Sequence, residues 1–357
     1  MRAVFCILDG FPVAKLGPVL TPNLAALRAA GGAPVGGASA VMTSATYPNH
    51  ASFVTGNGPE RHGLWANHVL LADGSVTKAA KVGPASPTLF DACRSAGVST
   101  EAVVGDENLV SVCGLEAADA HWPPRGQLPP EAPLDPYGYM LDPITIDRQL
   151  QAIAGDAELL FLHLNEPDTF GHVYGPDSQE AADTYHRTDA RLAVLVEALR
   201  PHWDDTVLVV VSDHGMTGIT GPPVDVGAEI VTRGLPLVPL YEGSGAVVMG
   251  EDPDDGRWLG ALDGVAGSAV AAPGVRVVWA QRGRWFAPAD RDGALRGVHG
   301  GLDTQAQMAV VAGGHPAAAA LAGVVRRSAV DATDWPVTLA ALFGVTLAEA
   351  TGRNLLA

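Results

Sequence analysis

Two textures alternate along the chain. Short, largely apolar runs occupy residues 4–8, 100–104, 159–162, 206–211 and 308–311. Runs of this length with no polar alternation belong to strands covered on both faces, as in a parallel sheet. Between them the apolar positions switch to helical spacing. Thr21-Pro22-Asn23 opens a helix through Leu24, Leu27 and Ala30 that Gly31-Gly32 closes, and Ser86-Pro87 opens another through Leu89, Phe90, Cys93 and Ala96. Further helices are expected over 145–154, 179–199 and 335–343, with a packed helical turn in the Ala-rich stretch 316–323. Strands that alternate with helices predict an α/β domain.

Two stretches break this rhythm. Residues 114–144 are Pro-rich and read as a long irregular excursion, and residues 221–295 carry many Gly and Pro with short β-like runs at 246–249 and 275–279. We therefore expect a core of residues 1–220 and 296–357, interrupted at 221–295 by an inserted subdomain or an elaborated edge. Long excursions in compact domains are usually functional.

Charge and length narrow the partners. The 357 residues carry a net charge of −17, which argues against a nucleic acid polymer or an anionic membrane surface. No run approaches the roughly 18 apolar residues of a membrane span. Met1-Arg2 leads directly into an apolar run ended by Asp9, too short for a secretory signal, so a cytoplasmic location is expected. Cys6, Cys93 and Cys113 are widely spaced and suggest neither a disulfide framework nor a zinc knuckle. The pattern leaves the oligomeric state open.

Chemistry gathers at the ends of the apolar runs. The first run delivers Asp9-Gly10, the fourth delivers Ser212-Asp213-His214, and the third leads to Asp168 and His172 on what reads as a Pro/Gly-bent loop. Thr46, in Thr43-Ser44-Ala45-Thr46-Tyr47-Pro48-Asn49-His50, reads as a hydroxyl delivered to a helix N-terminus, where free N–H groups favour an oxyanion. Taken alone, that stretch also serves as a helix cap and Asp9-Gly10 as a turn. Taken together with His299 between glycines, three carboxylates and three imidazoles form a natural donor set for two divalent ions. Such ions would draw a small anionic phosphate ester to an acidic protein.

The ordered motifs resemble those of the alkaline phosphatase superfamily, and within it the nucleotide pyrophosphatase/phosphodiesterase branch. They are Asp9-Gly10, Thr46-Tyr47-Pro48-Asn49-His50, Glu166-Pro167-Asp168 with Gly171-His172 and Gly175-Pro176, Ser212-Asp213-His214-Gly215-Met216, and His299-Gly300. The resemblance covers residues 1 to about 220 and again from about 297 to the end. It implies a three-layer α/β/α core around a mainly parallel sheet, and two Zn²⁺ per chain. Asp168, His172 and His299 would hold one ion, and Asp9, Asp213 and His214 the other. Thr46 would be the nucleophile and touch the second ion, Asn67 would donate to a phosphoryl oxygen, and Tyr47 would stack on the leaving group.

The same resemblance implies a zinc-dependent phosphodiesterase or nucleotide pyrophosphatase working through a phospho-threonine. A sulfatase would need Cys or Ser followed by x-Pro-x-Arg, whereas His50 stands where that Arg belongs. A phosphonoacetate hydrolase would place Lys after the nucleophile segment, where this chain has Asp106, Glu107 and Asn108. Phosphomonoesterase and phosphonate hydrolase activity remain the enzyme alternatives, and a metal-binding protein without turnover is the non-enzyme one.

Overall fold

Six strands make the central sheet of the computed structural model, which describes residues 1–288 and 295–357. In chain order the strands are β1 (Arg2–Leu8), β2 (Thr100–Val103), β3 (Ala120–Trp122), β4 (Leu159–Leu164) and β5 (Thr206–Val211). A separate antiparallel sheet follows, from β6 (Val238–Glu242), β7 (Gly245–Met249), β8 (Val265–Ala272) and β9 (Val275–Ala280), before β10 (Ala309–Ala312) rejoins the first. The central order is β10-β5-β1-β4-β2-β3, parallel throughout except for β10 at one edge.

The principal helices are α1 (Pro22–Ala30), α2 (Thr46–Thr55), α3 (Leu89–Ala96), α4 (Asp142–Ala154), α5 (Glu166–Tyr174), α6 (Gln179–Leu199), α7 (Val226–Arg233), α8 (Pro316–Val325) and α9 (Asp334–Leu342). They cover both faces of the sheet, and the period of two along β1 sorts its side chains between them. Phe5 and Ile7 pack with Phe53 of α2, Phe90 of α3, Leu321 of α8 and Trp335 of α9. Val4, Cys6 and Leu8 pack with Leu24 of α1, Ile153 of α4 and Tyr185 of α6. The result is the three-layer α/β/α core. Phe5 meets Phe53 edge-on at 5.2 Å between ring centres, and removing such a ring typically costs about 3–5 kcal/mol.

Local structure departs from the sequence expectations in four places. Residues 166–174 form helix α5 rather than a bent loop. Pro167 sits in the first turn, where its missing N–H costs nothing, and Asp142 accepts the N–H groups of Asn165 at 3.0 Å and Glu166 at 3.4 Å. The excursion 114–144 contributes the edge strand β3, and α4 begins at Asp142 because Pro143 is tolerated in its first turn. The Ala-rich stretch continues as a full helix, α8, to Val325. Helix α7 stands in the Gly/Pro-rich stretch, where Val226 and Ile230 join a core with Val248, Trp258 and Phe286. Residues 289–294 of that stretch lie outside the described residues.

Among the described residues no helix is long and apolar enough to cross a membrane.

Candidate active site

The strands β5, β1 and β4 are neighbours, and each ends at a residue of interest: Asp213 after β5, Asp9 after β1, and α5 with Asp168 after β4. Ligands of open parallel sheets bind at this carboxyl edge. Gly10 makes the convergence possible. Its φ is +63°, and a Cβ there would stand 2.8 Å from the Asp168 backbone.

Each of the three carboxylates has a buried oxygen without a hydrogen bond partner, and in Asp213 and Asp9 the other oxygen is committed. Asp213 Oδ1 accepts the N–H groups of Gly10 at 3.0 Å and His214 at 2.9 Å, while Oδ2 is buried without a hydrogen bond partner. Asp9 Oδ2 lies 3.0 Å from His163 Nε2, and its Oδ1 is buried and unpaired. Asp168 Oδ1 is likewise buried and unpaired, 3.4 Å from His172 Nε2. Leaving such atoms unpartnered is costly unless something satisfies them.

The imidazoles are oriented to match. The Nδ1 of His172 meets the carbonyl of Gly297 at 2.7 Å, that of His214 the carbonyl of Gly215 at 2.9 Å, and that of His299 the carbonyl of Ser44 at 3.0 Å. A carbonyl only accepts, so each Nδ1 carries the hydrogen and each Nε2 keeps its lone pair for the site. The rings of His214 and His299 stack at 3.7 Å, and that of His172 lies 5.0 Å from His299.

Electrostatics point the same way. Burial, together with the neighbouring Asp213, holds the Asp9 carboxyl well above the usual carboxylate range, and burial raises Asp168 and Asp213 too. Burial lowers His214 to about 4 and pushes His299 well down, so neither ring supplies positive charge at neutral pH. Imidazole nitrogens with free lone pairs beside unpaired carboxylate oxygens make a donor set suited to cations. The donor atoms of Asp9, Asp213 and His214 lie within 4.8 Å of one another, as do those of Asp168, His214 and His299. The residues therefore fit divalent cations, with His214 near both groups.

Thr46 is the first residue of α2, and its Oγ1 lies 3.2 Å from His214 Nε2. The hydroxyl thus stands at a helix N-terminus beside the metal donors. Asn67 comes from the turn before a short hairpin, and its Oδ1 accepts the backbone N–H of Tyr47 at 2.9 Å. Tyr47 itself points away from the open side. Only 7 % of it is exposed, its ring belongs to the core, and its hydroxyl donates to Asp106 at 3.0 Å. The first two residues of a helix project about 100° apart, so the neighbour of Thr46 turns inward.

A cleft of about 540 Å³ opens from Asn67, His172 and His299, and its aromatic walls are Tyr137, Tyr241, Trp285 and Phe286. Tyr137 belongs to the Pro-rich excursion, where its ring meets His172 edge-on at 5.6 Å, and the other three belong to the Gly/Pro-rich stretch. Both stretches that broke the α/β rhythm therefore build the site's walls. Glu242 also lines this cleft. Its Oε1 accepts the Asn67 N–H at 2.7 Å, and burial pushes its carboxyl up to about 8.

Sequence reasoning passed over several of these residues. His163 and His50 are buried beside Asp9 and Asp213; His50 belongs to the threonine stretch, yet nothing local marks its role. Asp135 gathers the N–H groups of Tyr137 and Tyr139 on Oδ1 and the Thr169 hydroxyl on Oδ2 at 2.6 Å, which ties the excursion to α5. An Asp-Pro pair was its only sequence signal.

The type I phosphodiesterase/nucleotide pyrophosphatase family model matches residues 3–233. A mouse relative, ectonucleotide pyrophosphatase/phosphodiesterase family member 7, is 37% identical over 73 residues, covering 20% of this chain and 17% of its own length. The venom phosphodiesterase of Macrovipera lebetinus is 27% identical over 199 residues, covering 51% of this chain and 21% of its own length. The alignments thus span about a fifth of those relatives. Two solved structures share the fold: murine ectonucleotide pyrophosphatase/phosphodiesterase 5, at TM-score 0.76 and 18% identity over 99% of this chain and 98% of that one, and phosphonoacetate hydrolase from Sinorhizobium meliloti, at TM-score 0.71 and 18% identity over 94% of each. With most of its length under the family's own pattern, the chain belongs to the type I phosphodiesterase/nucleotide pyrophosphatase family.

Proposed function

We propose that this protein is a zinc-dependent hydrolase that cleaves phosphodiester or pyrophosphate bonds of nucleotide-like or aryl substrates, with Thr46 as nucleophile. The observation that carries the reading is the hydroxyl of Thr46, 3.2 Å from His214 Nε2, beside carboxylate oxygens that have no protein partner. Two Zn²⁺, one with Asp168, His172 and His299 and one with Asp9, Asp213 and His214, would lower the pKa of the Thr46 hydroxyl and stabilise charge on phosphoryl and leaving oxygens.

The chain's own residues then divide the work. Thr46 gives its hydroxyl proton to solvent and its Oγ1 attacks phosphorus as the bond to the leaving oxygen breaks, giving a phospho-threonine, and the departing alkoxide gains a proton from solvent. A water next attacks phosphorus and gives up a proton, the bond to Oγ1 breaks, and Oγ1 takes a proton to restore the Thr46 hydroxyl. The N-terminus of α2 favours the anion at this position. Asn67, its oxygen occupied by the Tyr47 N–H, offers Nδ2 hydrogens to a phosphoryl oxygen. The leaving group lies in the aromatic cleft, where Tyr137 and Tyr241 supply the accessible flat faces over the buried Trp285 and Phe286, while Tyr47 contributes its backbone rather than its ring.

We also read residues 221–295 as an inserted subdomain whose task is this wall, and a reducing, cytoplasmic setting from the buried free thiols of Cys6, Cys93 and Cys113. The decisive assay compares a bis-aryl phosphate, an aryl nucleotide, an aryl phosphate and phosphonoacetate on one zinc-loaded preparation. Diesters should lead in kcat/KM, because Asn67 is a neutral donor and the cleft is aromatic. A tenfold or larger lead of the monoester would replace this reading with a phosphomonoesterase, and a lead of phosphonoacetate with a phosphonate hydrolase. No turnover of any of the four would leave a metal-binding protein.

A further inference from the structure

We propose that His163 is a positioning residue for Asp9: it holds one carboxyl oxygen so that the other is presented to the cation of the Asp9, Asp213 and His214 group. The inference rests on the metal-site reading above and adds a residue outside the ligand set.

His163 lies inside β4, in register with Ile7 of β1, so the adjacent strand ends place its ring next to Asp9. Its Nε2 stands 3.0 Å from Asp9 Oδ2, and the His163 side chain is fully buried. When Asp9 is ionised for a cation it can only accept, so the hydrogen at that contact belongs to His163. The other carboxylate of the group is held differently. Asp213 receives two backbone N–H groups, whereas among the described residues no backbone N–H reaches the Asp9 carboxyl. His163 thus does for Asp9 what the Gly10 and His214 amides do for Asp213. The buried, unpaired Asp9 Oδ1 is the atom this leaves for the ion.

A different use of the same residues would be an ion of their own, since donor atoms of Asp9, His50 and His163 lie within 4.8 Å of one another. Two of those residues are already engaged. His50 Nδ1 meets the Thr46 carbonyl at 2.9 Å, so it carries a hydrogen, and His163 Nε2 is committed to Asp9. An ion bound through His50 Nε2 and His163 Nδ1, both buried without a hydrogen bond partner, would leave these contacts intact, and the titration below separates that case. A polar ring inside a strand otherwise made of Leu and Phe is accounted for by the single hydrogen bond to Asp9.

The test is zinc titration of the metal-stripped full chain against a competing chelating dye, for the wild type, His163→Phe and His163→Gln. Phe keeps a planar ring but loses the donor, and Gln keeps a donor. We expect His163→Phe to weaken one of two zinc sites about 10–100-fold and leave the other unchanged, as happens when a ligand's supporting hydrogen bond is removed. His163→Gln should recover most of that loss, and thermal unfolding of the metal-free forms should stay close to wild type. If His163→Phe does not fold, His163→Met, which also lacks a donor, takes its place. Equal affinities in wild type and the donorless variant would overturn the inference alone. So would a third zinc equivalent in the wild type that this variant loses, since His163 would then be a ligand. A wild type that binds no zinc would overturn the reading of the site and the inference with it.

Discussion

Asn67 Oδ1 accepts the backbone N–H of Tyr47 at 2.9 Å, and this hydrogen bond fixes which end of the amide is free toward the cleft. The oxygen is spent on the first turn of α2, so the nitrogen is left to donate. Asn67 is anchored from the other side as well, through its own N–H to Glu242 Oε1 at 2.7 Å. Nucleophile helix, neutral donor and the second sheet are thus joined in series.

Asn67→Ala should lower kcat/KM for an aryl diester by about 10²–10³-fold, the usual cost of losing one preorganised oxyanion donor. Asn67→Asp should be worse, because a carboxylate would face the phosphoryl group. Steady-state kinetics beside a thermal melt separate this from unfolding. An Asn67→Ala enzyme with wild-type kcat/KM would remove Asn67 from the site.

Thr46→Ala should lower kcat by at least about 10²-fold while zinc content and melting behaviour stay near wild type, since covalent catalysis is lost and all six Asp and His donors remain. Acid quenching of the wild type during turnover of a diester labelled at phosphorus should trap on Thr46 the phosphoryl group with its remaining ester. Label on another residue, Ser44 included, would move the nucleophile.

Glu242 gives a pH-dependent signature. Burial raises its carboxyl from an ordinary 4.5 to about 8, so the folded chain holds a proton that the unfolded chain releases between those values. Its contribution is fully present below about 4.5 and is lost as pH rises through about 8. Glu242→Gln keeps the acceptor for the Asn67 N–H and cannot ionise. In denaturant melts of the metal-free chains the two proteins should match near pH 4.5, and the variant should be the more stable by a few kcal/mol above pH 8. Parallel curves across that range would show that Glu242 does not carry the proton.

Asp135→Ala should free the rim that carries Tyr137. Removing this acceptor of the Tyr137 and Tyr139 N–H groups leaves the buried Thr169 hydroxyl without its partner, at about 1–3 kcal/mol. KM for a bulky aryl diester should rise several-fold, and more than KM for a small alkyl aryl diester, since the platform over the cleft is what loosens. Equal shifts for both substrates would mean that Asp135 serves stability only.

The sequence by itself determined five of the six strands of the sheet and the ends that carry Asp9 and Asp213, but not the edge strand β3. A run such as 206–211 has no polar face, so it must be covered on both sides, and its next polar residues, Asp213 and His214, must fall at the sheet's carboxyl edge. Asp9 follows by the same reasoning, and the 21-residue α6 was legible from its apolar period alone. Tertiary structure decided everything that depends on which distant segments meet. His163 reads as a flaw in a buried strand until the register with β1 sets it beside Asp9. Asp135 is an ordinary loop acid until α5 brings Thr169 to it, and Glu242 an ordinary strand end until Asn67 approaches. Tyr47 shows the same limit at one-residue scale: its place after Thr46 is plain in the sequence, but helix phase and the partner Asp106 turn its ring into the core. Local pattern fixes a residue's secondary structure and burial because those depend on near neighbours, whereas hydrogen bond partners and cleft walls arise from contacts between segments far apart in the chain.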